Sequence, residues 1–191
     1  MESSQKTALL LLDFQPNIVK FIPDKTPVMN SLNIAIDAAH KSNILVIFVV
    51  MALREGFPEL NSNNKWCADY KAQPIPNFTE ELVPDSSLHF QQGDLIVKKK
   101  RASAFTGSDL EVILRAHKIE RLVIAGIATS AVVLSTVREA ADKDYALTIL
   151  SDCCVDFDEE VQRVLLQKIF PTQADVVTAK EWADSISKKS A

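Results

Sequence analysis

Glycine is scarce. Four stand in 191 residues, at Gly56, Gly93, Gly107 and Gly126. No two lie close enough to build G-x-G-x-x-G or the phosphate-cradling G-x-x-x-x-G-K loop, so nucleotide binding through those loops is excluded by counting. Histidine is as sparse: His40, His89 and His117 are far apart, and an H-E-x-x-H zinc helix is impossible. G-x-S-x-G does not occur, which argues against a serine-elbow hydrolase. The three cysteines form no C-x-x-C pair, removing zinc ribbons and thioredoxin-type chemistry. Their odd number, with Cys153 and Cys154 adjacent, reads as reduced thiols rather than a disulfide framework.

A basic excess is also missing. Against 21 Lys and Arg stand 25 Asp and Glu, so no nucleic-acid partner is expected. Long apolar runs are absent: Ile44 to Ala52 is about half a membrane span. The polar Met1 to Thr7 is followed by an apolar run that Asp13 ends too soon for a signal-peptide core. The expectation is a cytoplasmic protein with no membrane partner. With 47% apolar residues the chain can bury one sizeable core, read as one domain over residues 1–191.

What is present is alternation. Six short apolar runs read as strands: Ala8–Leu12, Ile44–Val50, Leu95–Val97, Leu122–Ala125, Ala146–Leu150 and Asp175–Val177. Several are apolar on both faces, as in strands buried between helix layers. Helical spacing fills the gaps at Val28–Lys41, Ser108–His117, Ala131–Lys143, Asp158–Phe170 (ended by Pro171) and Ala179–Ser187. This order predicts an α/β fold with a mostly parallel six-stranded sheet covered on both sides. Leu53–Gln92 breaks the pattern with four prolines and few periodic apolar residues; a loop this long suggests a functional lid.

Ligands bind beyond the carboxyl ends of such strands. Those ends deliver Asp13-Phe14-Gln15, Leu53-Arg54-Glu55, Lys98 to Arg101, Gly126 to Ser130, and Ser151 to Cys154. Asp13 with a lysine on one rim is a plausible acid/base pair, although an Asp after a strand commonly forms a turn. A run such as Lys98–Arg101 is usually a solvated charged turn. Arg54 is an anion binder or one half of a surface ion pair. Cys153 and Cys154 read as packing residues or reactive thiols. Phe57, Trp66 and Tyr70 either pack a lid or wall a cyclic substrate.

Taken together, Ala8-Leu9-Leu10-Leu11-Leu12-Asp13-Phe14-Gln15, Lys99-Lys100-Arg101-Ala102-Ser103-Ala104-Phe105, Ala125-Gly126-Ile127-Ala128-Thr129 continuing to Thr136, and Phe170 to Val177 are a stronger signal than any one of them. In this order the chain resembles the isochorismatase-like hydrolases, the family that also holds nicotinamidases and N-carbamoylsarcosine amidases, from Thr7 to about Ile186. The resemblance implies a Rossmann-like three-layer sandwich with its site at the carboxyl edge. It assigns catalysis to Asp13 and to Lys99, counted back from Phe105, or to Lys98 if the register slips by one. It implies a non-proline cis peptide at Ile127–Ala128 shaping an oxyanion pocket, and places Phe14, Arg54, Ile127, Ala128 and Val132 around the substrate. It also implies a small-molecule substrate and a homo-oligomer.

The chain departs from the family where the amidases place their nucleophilic cysteine, for that position reads Val132. The nicotinamidase metal pattern, an Asp-x-His and a second His in the lid, is missing too: after the second strand stands Leu53-Arg54-Glu55-Gly56-Phe57, so neither a metal nor another cofactor is expected. The resemblance then implies a metal-free hydrolase of a small carboxylated substrate, fitted to vinyl-ether hydrolysis with Asp13 as general acid and Lys99 in support. Asp13 would have to stay protonated beside an ammonium, so desolvation must outweigh the charge. Cysteine-less members often carry Gly where this chain has Val132, which narrows the pocket. The alternative is an inactive family member that binds a small molecule or forms oligomers. A third reading gives the nucleophile's role to Ser130, Cys153 or Cys154.

Overall fold

A computed structural model describes residues 6–74, 77–79 and 82–188. Six strands, β1 (Thr7–Leu12), β2 (Leu45–Met51), β3 (Leu95–Lys99), β4 (Arg121–Ile127), β5 (Ala146–Val155) and β6 (Asp175–Val177), form one sheet in the order β3-β2-β1-β4-β5-β6. Every pairing between these strands is parallel. Helices α1 (Pro16–Val19), α2 (Thr26–Lys41), α3 (Lys65–Ala72), α4 (Leu110–Ala116), α5 (Leu134–Asp142), α6 (Glu159–Val164) and α7 (Ala179–Ser187) complete the α/β fold. No helix among the described residues is long and apolar enough to cross a membrane.

The unbroken apolar run of β1 has a direct cause. Leu9 and Leu11 belong to one core with residues of α2 and α7; Ala8, Leu10 and Leu12 belong to a second with residues of α4 and α5. Both faces are dry, so neither tolerates a polar residue, and each buried leucine contributes about 1.5–3 kcal/mol. The edge strand β3 alternates instead, burying Val97 and Lys99 and exposing Ile96 and Lys98.

Strand order reverses at β1, whose neighbours β2 and β4 are reached by crossovers in opposite directions. Such a switch point opens a crevice at the carboxyl ends, and the residue that follows β1 there is Asp13.

Three segments differ from the sequence reading. The helix expected over Ala131–Lys143 begins earlier, as a π-helical turn at Thr129–Val133, and becomes regular only in α5. The helix expected to stop at Pro171 is α6 followed by a π turn at Leu165–Ile169 and a 3-10 turn at Phe170–Thr172, where a residue without an N–H fits at the second position. β5 runs on through Ser151 to Val155, with a register irregularity against β4 between Ile124 and Gly126.

The expected lid contains α3, capped by the Asn64 side chain on the Cys67 N–H. Its later part is laid along α2 by Lys25–Asp85, Asp37–His89 and His40–Asp94 pairs. The segment is closed on itself where Leu53 N–H donates to the Phe78 carbonyl at 2.8 Å, and tied to the turn after β1 where Asp85 N–H donates to the Phe14 carbonyl at 2.9 Å.

Gly126 lets β4, β1 and the turn before α5 close up. A Cβ there would meet Val133 Cγ2 at 2.8 Å, Leu12 Cβ at 2.9 Å and the Leu12 carbonyl oxygen at 3.2 Å. Gly126→Ala is therefore expected to cost about 1–3 kcal/mol, read as a lower urea midpoint with an unchanged m-value.

Candidate active site

Asp13 leaves β1 in the left-handed region, with φ at 62°, a conformation that Asp tolerates better than most side chains. Its N–H still donates to the Val49 carbonyl at 2.8 Å, and its own carbonyl accepts from Gln15 N–H at 2.8 Å. The chain thus makes a tight turn directly off the sheet. Gln15 locks that turn from the other side. Its side-chain oxygen accepts from Met51 N–H at 2.8 Å and its amide donates back to the Met51 carbonyl at 3.2 Å.

Met51 is paired with Lys99 in the β2–β3 ladder. Since β2 lies between β3 and β1, the Lys99 and Asp13 side chains must together bridge roughly two strand spacings, about 9.6 Å, which needs a side chain as long as lysine's on one side. Its Nζ lies 2.9 Å from Asp13 Oδ2, with side-chain exposures of 1% and 8%. The ammonium also donates to the Arg101 carbonyl at 2.9 Å. Lys98 points the other way and is exposed, so Lys99 is the lysine that meets Asp13.

Among the described residues Asp13 Oδ1 is buried without a partner. Burial pushes the Asp13 carboxyl above its ordinary value, and the nearby Lys99 ammonium pulls it down by less. One oxygen is therefore committed to the ammonium, and the other stands unpaired on a carboxyl able to hold a proton.

The Ile127–Ala128 peptide is cis. Because Leu12 pairs with Gly126, this bond lies beside Asp13 along the same edge. Thr129 follows, fully buried and with its hydroxyl unpartnered. Val132 lies in the π turn, 2% exposed, in the core that also holds Leu12 and Phe105. The turn is held at its start by Asp156, whose Oδ2 accepts from Ser130 N–H at 2.6 Å. Thr136 accepts from Ala104 N–H at 3.0 Å, fastening the loop after β3 to α5. Phe14 is buried at 2% exposure in the opposite core.

The structure thus brings Asp13, Lys99, Phe14, Ile127, Ala128 and Val132 to one edge of the sheet. It does not bring Arg54 onto the pair. Arg54 is 70% exposed along its side chain and bound to Glu59 at 2.6 Å. Tyr70 is ringed by Phe57 at 5.3 Å and by Trp66 and Phe78 at 5.4 Å, so the lid aromatics pack on one another. Cys153 and Cys154 lie buried in β5, and burial pushes both thiols up, Cys154 to about 12. Among the described residues no three His, Cys, Asp or Glu side chains gather into a metal-holding group. The sequence reading missed Gln15 as the brace of the Asp13 turn and Glu59 as the partner of Arg54, since neither pairing leaves a local spacing signal.

A buried ion pair broken on one side leaves a costly charge. Asp13→Leu, which strands the ammonium, is expected to cost about 3–5 kcal/mol. Lys99→Met should cost less, because Asp13 can take up a proton. In that variant the folded carboxyl binds its proton more tightly than the unfolded chain, so stability is greatest below the unfolded value and falls as pH rises toward the folded one. Asp13→Leu/Lys99→Met is expected to lie closer to wild type than Asp13→Leu in urea titrations across pH.

The comparisons agree with this architecture. Residues 7–181 match the family model described as the Isochorismatase domain. The isochorismatase family protein YwoC of Bacillus subtilis is 32% identical over 182 residues, covering 95% of each chain. The ureidoacrylate amidohydrolase RutB of Acinetobacter baylyi is 28% identical over 179 residues, covering 78% of this chain and 71% of that one. An isochorismatase family protein from Burkholderia thailandensis superposes with a TM-score of 0.83 at 27% identity, covering 97% of both chains. A doubly wound parallel sheet with a carboxylate and a lysine joined at its switch point, matched over nearly its whole length, places the chain in the isochorismatase family of hydrolases.

Proposed function

We propose that this chain hydrolyses a small carboxylated molecule by acid chemistry at Asp13, with Lys99 orienting the carboxyl and no cysteine nucleophile. The observation that carries the reading is the buried Asp13–Lys99 pair, with Asp13 Oδ1 unpartnered and the carboxyl raised above its ordinary value. A carboxyl tuned upward keeps its proton nearer to neutral pH and can deliver it to substrate.

Val132 supports the absence of a nucleophile, standing where the resemblance puts the family's cysteine; an aliphatic side chain cannot attack a carbonyl. The cysteines of β5 do not compensate, because a thiol held protonated by burial is a poor nucleophile. Vinyl-ether hydrolysis suits such a site. Asp13 protonates the enol-ether methylene, water adds to the resulting oxocarbenium ion, and the proton released by that water restores the acid. The hemiketal then collapses to a ketone and an alcohol. Lys100 and Arg101 follow Lys99 at the end of β3 and make this edge basic, which favours an anionic substrate. The substrate in RutB's name, ureidoacrylate, is also a carboxylate.

A second reading is favoured by the packing of Val132, which is buried in the core where a catalytic side chain would face substrate. The chain would then bind small carboxylates without turning them over.

The test is a panel of carboxylated vinyl ethers and carbamoyl amides, with pyruvate release from isochorismate as the first assay. Turnover of the vinyl ether is expected, with kcat/KM lowered at least ~100-fold in Asp13→Asn. The rate should be level below the raised Asp13 value and fall as pH climbs through it, since only the protonated carboxyl is an acid. Equal rates for the two proteins, or a rate rising with pH across that range, rejects the reading. Tight carboxylate binding with no turnover establishes the second one.

A further inference from the structure

We propose that Arg101 is a positioning residue that makes the placement of Lys99 depend on the seating of the lid turn formed by residues 54–60. The proposal rests on the reading of Asp13 and Lys99 as the catalytic pair, and a continuous series of short contacts carries it. Asp13 Oδ2 meets Lys99 Nζ at 2.9 Å, and the same ammonium donates to the Arg101 carbonyl at 2.9 Å. The Arg101 guanidinium then forks. Nη1 donates to the Lys100 carbonyl at 2.7 Å, and Nη2 crosses to the Glu59 carbonyl at 2.6 Å.

Glu59 belongs to the lid turn. Its carboxylate is gripped by Arg54 at 2.6 Å, and the turn is closed by Phe57 N–H on the Arg54 carbonyl and Leu60 N–H on the Phe57 carbonyl, both at 3.0 Å. Lys100 adds a brace, its ammonium donating to the Ala52 carbonyl at the root of the turn. The buried carboxyl is thus linked, contact by contact, to an arginine on the surface.

A planar guanidinium suits this bridge because its donors are fixed in a fork that can satisfy two carbonyls at once; an ammonium is a single point of charge. With Nη2 on Glu59, the peptide of Arg101 is held and its carbonyl aims at Lys99. With the turn unseated, that carbonyl is free to swing and the ammonium loses one of its anchors. A misplacement of about 1 Å at a reacting group costs on the order of 100-fold in rate. Seating the lid over substrate would therefore complete the catalytic pair as well as cover it.

The experiment combines steady-state kinetics on full-length protein with a 13C titration of the Asp13 carboxyl in the absence of substrate. Urea unfolding confirms that each variant is folded. Arg101→Ala is expected to lower kcat by about 10- to 100-fold with KM within about twofold. Its Asp13 titration midpoint moves up as the ammonium's pull weakens. Arg101→Lys should recover part of both effects, and Arg54→Ala should move both in the same direction by less. A raised KM with kcat and the titration unchanged would show Arg101 gripping substrate directly and overturn the proposal. A shifted titration in a protein that turns nothing over keeps the coupling and rejects the catalytic reading. An unshifted titration rejects the coupling whether or not there is turnover.

Discussion

A carboxylate and an ammonium are held together out of water at the end of β1, and the local structure is organised around that fact. Removing each charge from solvent costs several kcal/mol, and their attraction offsets this only where geometry is tight and remaining hydrogen-bonding capacity is used. The Asp13–Lys99 pair satisfies the first condition at 2.9 Å and meets the second only in part. The ammonium finds the Arg101 carbonyl, whereas Asp13 Oδ1 finds no partner among the described residues. An unsatisfied buried acceptor is a poor feature for a structural ion pair and a reasonable one for a site that waits for a ligand.

Holding the pair requires parts that contribute little elsewhere. The left-handed turn at Asp13 lifts the carboxyl off the sheet, and Gln15 clamps the turn to Met51, the residue beside Lys99 in the ladder. Two separate cores, one on each face of β1, keep the strand from shifting while the residue after it carries the carboxyl. The rigid sheet therefore sets where the two groups start, and the loops beyond it set whether they meet.

Much of this was legible in the chain. The apolar runs marked all six strands because a buried parallel sheet demands them, and Asp13 stood out as the first charge after the first run. The choice between Lys98 and Lys99 rested on the family resemblance, because Leu95, Ile96 and Val97 are all apolar and do not say which face is buried; the structure puts Lys99 on the inner face with Val97. The extension of β5 through Ser151 to Val155 and the π turns had no such mark; apolar periodicity does not separate a π turn from the helix that continues it, and tertiary pairing lengthened the strand. Arg54 was the instructive case. Anion binder and surface ion pair were both open, with Arg54 named as a grip on substrate through the family resemblance, and the structure shows the ion pair, because Glu59 returns to it five residues later around a turn that no hydrophobic pattern announces.

Sequence by itself determined the layered fold, the order and place of its strands and the residue types that follow them, because apolar period and chain order depend on local rules that hold in any parallel sheet. Only the tertiary structure decided that Lys99 spans β2 to reach Asp13, that one carboxyl oxygen is left unpaired, and that Arg101 ties the lid turn to the lysine's second partner. Those outcomes depend on distances between residues far apart in the chain, and on burial, which raises a carboxyl's hold on its proton only after the surrounding side chains have closed over it.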